Sequence, residues 1–84
     1  MEKGVQAAVR RFPLRGPEIR RLALANATFR SLCEDLADAE SAFDQWGSSS
    51  AIGSKQRQSE YQVLARELAI EIEHMLAALS GDEA

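Results

Sequence analysis

The sequence predicts an all-α protein, built as an antiparallel two-helix, coiled-coil-like hairpin. Two apolar seams and the connection between them carry that prediction. Leu22, Ala25, Phe29, Leu32, Leu36, Ala39, Phe43 and Trp46 recur at gaps that alternate three and four. Tyr61, Ala65, Leu68, Ile72, Met75 and Leu79 do the same over a second run. That spacing keeps one side of a helix apolar along its whole length, and such a stripe needs a second stripe to cover it. The Gly/Ser-rich stretch 47–54 joins the two and lets the chain fold back.

In chain order, residues 1–16 read as a basic arm. Within it Val5, Ala8, Val9 and Phe12 share a helical face. So short a helix is marginal alone in water and forms only if it docks. Pro13 drives Phe12 toward extended backbone and closes the segment. Gly16-Pro17-Glu18 opens the first long helix, because proline suits a position that needs no donor and a carboxylate suits the positive end of the helix dipole. The unbroken phase of the seam predicts one continuous or slightly bent helix over about 17–46, although Asn26 and Thr28 are cap-forming residues. Gly47 is the expected left-handed stop, and Ile52 is expected to tuck over the open end of the hairpin. The second helix is expected over about 55–79 with Gly81 as its stop, in a hairpin unit spanning 17–84.

The second helix carries more apolar surface than one neighbour can cover. Val63, Ile70 and Ala77 are spaced by seven on the side away from its seam, with Leu76 close by. A helix apolar on all sides is one buried from all sides. Two such hairpins pairing into a homodimeric four-helix bundle would bury the surplus. Val63, Ile70, Leu76 and Ala77 are therefore the expected partner-binding residues, toward a second copy or the helix of another protein. At 84 residues a lone chain buries too little surface to be more than marginally stable, which points the same way.

The net charge of −3 hides an uneven distribution. Residues 1–30 hold seven basic residues against two acidic ones, and residues 31–84 hold three against eleven. Arg10, Arg11, Arg15, Arg20 and Arg21 could contact phosphates, which makes an accessory nucleic-acid-binding protein the alternative reading. Against it, the acidic remainder repels a polyanion, and neutralising the second helix is an ordinary task for those arginines. A further alternative is a metal-binding bundle. Glu71 and His74 have the i, i+3 spacing used by di-metal bundles, and Glu67 lies one turn earlier. The level opposite them on the first helix offers Arg30 and no carboxylate, so a solvated flank is expected and no metal or other cofactor.

Cys33 is the only cysteine, which excludes an intrachain disulfide and suits a reducing compartment. Followed by Glu34 and Asp35, it reads as a small buried hydrophobe and not a reactive thiol. With one histidine and no nucleophile paired with a base, no enzyme activity is expected. No apolar run approaches the roughly 18 residues of a spanning helix, and the N-terminus lacks a secretory apolar core. A cytoplasmic protein without membrane contact is the expectation.

Arg11-Phe12-Pro13, Glu18-Ile19, Leu22, Asn26, Phe29 and Leu32 resemble the small bacterial helical-hairpin proteins of the YdcH-like family. The resemblance covers roughly residues 11–46. It implies a bacterial cytosolic hairpin, and no catalytic residue is carried over with it.

Overall fold

The computed structural model describes residues 2–80, and every regular element among them is helical. The order is α1 (Glu2–Arg11), a 3-10 turn (Pro13–Arg15), α2 (Gly16–Ala25), α3 (Ala27–Gly47) and α4 (Ser54–Ser80). The molecule is elongated, 49 × 22 × 21 Å. Gly81, the expected stop of the second helix, lies outside the described residues.

α3 and α4 make the largest contact between elements. The guanidinium of Arg57 lies 5.9 Å from the centre of the Trp46 ring, and Gln58 reaches Gly47. Phe29, Leu36 and Ala39 of α3 and Ala65 and Ile72 of α4 are buried as the two seams require. Two details differ. Leu79 is exposed, while Ala69 and Leu76 are buried, so the covered stripe of α4 is turned toward the Ala69–Leu76 side. α1 and α2 each also touch α4, so its buried side is set by more than α3.

The first long helix is not continuous. Asn26 has extended backbone (φ −135°, ψ 111°) and separates α2 from α3. Hydrogen bonds from Asn26 and Arg30 support the break on both sides. Asn26 donates its N–H to the Leu22 carbonyl at 2.8 Å. Its side-chain Oδ1 accepts from the Phe29 N–H at 2.9 Å, capping α3. Arg30 reaches back and donates to the Ala23 carbonyl at 2.6 Å, satisfying the end of α2. In α2 the buried residues are Gly16, Ile19 and Ala23, with Leu22 half-buried and Ala25 exposed, so the seam does not run straight through.

α1 is helical and docked. It lies on a second stripe of α3, formed by Cys33 and Ala37, both buried. Its own face is made of small residues: Gly4, Ala7 and Ala8 are buried, with Val5 beside them. The approach at Gly4 is backbone on backbone. A Cβ placed there would sit 2.8 Å from the Glu34 nitrogen and 2.9 Å from the Cys33 carbonyl carbon. Further along, Arg10 and Arg11 both reach Glu40, at 3.5 and 3.0 Å. α1 therefore runs in the same direction as α3, and α2 returns past it, with Gly16 beside Val9. One hydrophobic core joins α1, α2, α3 and α4, and α1 contributes Val5, Ala7 and Ala8 to it.

The α3–α4 connection departs from expectation twice. Gly47 is not left-handed; the left-handed glycine is Gly53, at φ 83°. Ser48 has helical backbone, and its N–H donates to the Asp44 carbonyl, so α3 ends without a reversal at the glycine. Gly53 makes the turn one residue before α4, where Ser54 donates through its hydroxyl to the Ser49 carbonyl at 3.2 Å. Ile52 is fully exposed and covers nothing.

These contacts predict a contrast between two glycines. Gly4→Ala must push α1 off the α3 backbone and should lower stability by about 1–3 kcal/mol. Gly47→Ala meets only the mobile end of Gln58 and should be neutral or stabilising by up to about 1 kcal/mol. Thermal unfolding followed by circular dichroism separates them, and equal melting temperatures would contradict the close approach. Asn26→Ala should cost about 0.5–2 kcal/mol through loss of the α3 cap, with Asn26→Asp retaining most of it in a chemical denaturation series.

Candidate functional site

α4 is a 27-residue helix, about 40 Å long, whose main neighbour is α3. Its far side therefore faces outward. Val63 is 47% exposed and Ile70 45%, although both are large and apolar. Ala77, one further heptad along, is exposed as well. Leu76 does not belong with them. It is completely buried in the core, because the covered stripe of α4 is turned toward it. Of the four residues expected to bind a partner, three lie on the outer face and one holds the fold together.

The outer ridge reads Val63, Glu67, Ile70, His74 and Ala77, with gaps alternating four and three. Arg66 and Glu73 run along one side of it, and Leu64 along the other at 41% exposed. Isolated exposed apolar residues are commonplace; here Val63, Ile70 and Ala77 recur at heptad spacing along the open side of one helix. Leu79, which the spacing places on the seam, is exposed instead.

Glu67, Glu71 and His74, the candidate ligands of the metal-binding alternative, are all exposed on α4. Among the described residues no group of three or more His, Cys, Asp or Glu side chains converges as a metal site would require.

The arginines do not gather into one patch. Arg10 and Arg11 share Glu40, and Arg15 pairs with Glu18 at 2.6 Å. The partner of Arg10 and Arg11 is thus α3, and not the acidic second helix. Arg20 lies beside Val9 and Arg10 in a shallow groove between α1 and α2. Arg21 is exposed, next to the exposed Leu24. The bonds of Arg10 and Arg11 to Glu40 are exposed and each contributes under about 1 kcal/mol, whereas the Arg15–Glu18 pair is partly buried. Arg30, opposite Glu71 by level, bonds the Ala23 carbonyl instead. A groove of about 470 Å³ opens between α1 and α4, floored by Ala37 and Phe43 and rimmed by Arg10, Arg11, Glu40 and Asp44. Its rim charges largely neutralise one another.

Cys33 is completely buried beneath α1. Burial, and secondarily the neighbouring Glu34, push its thiol up to about 11. It is held as the neutral thiol, the unreactive form. No described helix is long and apolar enough to cross a membrane. Comparison with protein-family models, curated proteins and solved structures returns no match.

The thiol provides a direct check on the packing of α1. A disulfide reagent at pH 8 should leave Cys33 unmodified in the native protein and react at once in denaturant. Because its folded value lies above the unfolded one, near 8.5, the stabilising term is fully present below pH 8.5 and fades as pH rises toward 11. Urea titrations of the native chain and of Cys33→Ala across that range should diverge in slope only above pH 8.5.

Proposed function

We propose that this protein is a non-enzymatic protein–protein interaction module whose contact surface is the outer face of α4. In this reading α3 and α4 act as an antiparallel, coiled-coil-like hairpin, and a second copy completes a four-helix bundle. The protein works in the bacterial cytoplasm, in keeping with the YdcH-like resemblance of residues 11–46.

One observation carries the proposal: Val63 and Ile70 stand nearly half exposed, seven residues apart, on the side of α4 away from α3. Each would contribute roughly 1–2 kcal/mol on full burial. Docking of α1 chiefly on α3, at Cys33 and Ala37, strengthens the reading, since it leaves Val63 and Ile70 exposed. The buried, neutral state of Cys33 fits a packing role for that thiol and not a catalytic one.

Sedimentation over a range of concentrations tests the proposal. The chain should run as a dimer or larger, and Ile70→Glu should shift it to monomer with unchanged helix content by circular dichroism. A native chain that stays monomeric at every concentration would overturn self-association through this face.

A further inference from the structure

The outer face of α4 is charged as well as apolar, and the order of its charges selects how a second helix can lie on it. Resting on the self-association proposed above, we propose that the occupant is α4 of a second copy, antiparallel, about a two-fold axis passing near residues 69 and 70.

At 1.5 Å per residue, antiparallel helices bring residues of constant number sum to one height. An axis near residues 69–70 sets Arg66 level with Glu73 of the second copy, and by symmetry Glu73 level with Arg66. Both residues are exposed and lie along the same side of the ridge, so the pair forms twice. On the ridge itself Val63 enters the gap between His74 and Ala77 of the second copy. Ile70 enters the gap between Glu67 and Ile70. Glu67 of one copy comes within a turn of His74 of the other, where its carboxylate can accept a hydrogen bond from the imidazole.

A parallel pairing of the same face does the opposite. It stacks Glu67 on Glu67 and His74 on His74 across the axis, placing like groups together in every second layer. Like charges brought face to face are penalised, so the sign pattern favours the antiparallel arrangement over the parallel one. Neither α1 nor α2 stands in the way, since α4 turns its Ala69 and Leu76 side toward the core and its Val63 and Ile70 side outward.

Single cysteines read out the arrangement, because native Cys33 is buried and does not compete. Val63→Cys and Ala77→Cys, mixed in equal amounts and mildly oxidised, should cross-link to each other, while either variant alone should cross-link little. Arg66→Glu should weaken dimerisation about tenfold, and the swapped variant carrying Arg66→Glu and Glu73→Arg should recover it. Val63→Cys cross-linking to itself as readily as to Ala77→Cys would establish a parallel pair and overturn the inference while leaving self-association standing. A dimer by sedimentation that forms neither cross-link would place the interface on another face and overturn it too. A monomer at all concentrations removes this inference together with the self-association beneath it.

Discussion

The arrangement of this molecule depends on the close approach of α1 to α3. Gly4, Ala7 and Ala8 present almost no side chain, so the backbone of α1 settles directly on that of α3 at Cys33 and Glu34. Small residues at a helix crossing allow many weak dispersion contacts where larger ones would hold the helices apart. That contact makes a helix out of a segment too short to be stable by itself. It also buries Cys33 and Ala37 and brings Arg10 and Arg11 over Glu40. The small residues decide the geometry; the solvated ion pairs at the far end add little to it.

The surplus apolar surface follows from the same contact. α3 presents two buried stripes, one under α4 and one under α1. α4 is covered chiefly by α3 on its Ala65–Leu76 side and by nothing described on the other. A chain of this size normally cannot leave such surface idle without loss of stability or solubility. The proposed function therefore rests on an imbalance within the fold. Three helical layers bury the inner side of the molecule, and the longest helix keeps an open ridge on which apolar and ionisable residues alternate.

The Asn26 turn shows how a local residue can end a pattern that the periodicity alone would continue. A helix through residue 26 would satisfy the heptad, but it would carry α2 away from α1. Breaking the helix there lets α2 pack on α1, and Asn26 and Arg30 bond the Phe29 N–H and the Leu22 and Ala23 carbonyls beside the break. Capping and tertiary burial together outweigh the few intrahelical bonds that continuity would add.

The alternation of apolar residues was enough to establish that the chain is all-helical, where α3 ends and where α4 lies, and that α4 carries apolar residues beyond its seam. Those properties depend on residues near one another along the chain, and a period of three and four records them directly. The outer positions Val63, Ile70 and Ala77 were legible for the same reason. Leu76 was not, because its neighbour on the helix wheel differs by a fraction of a turn, and only the packing of α1, α2 and α3 around α4 sets that rotation. The destination of α1 was equally hidden. Its small residues state that something must come close, but the partner, the Cys33–Glu34 backbone of α3, lies some thirty residues away, and only the folded chain brings the two together.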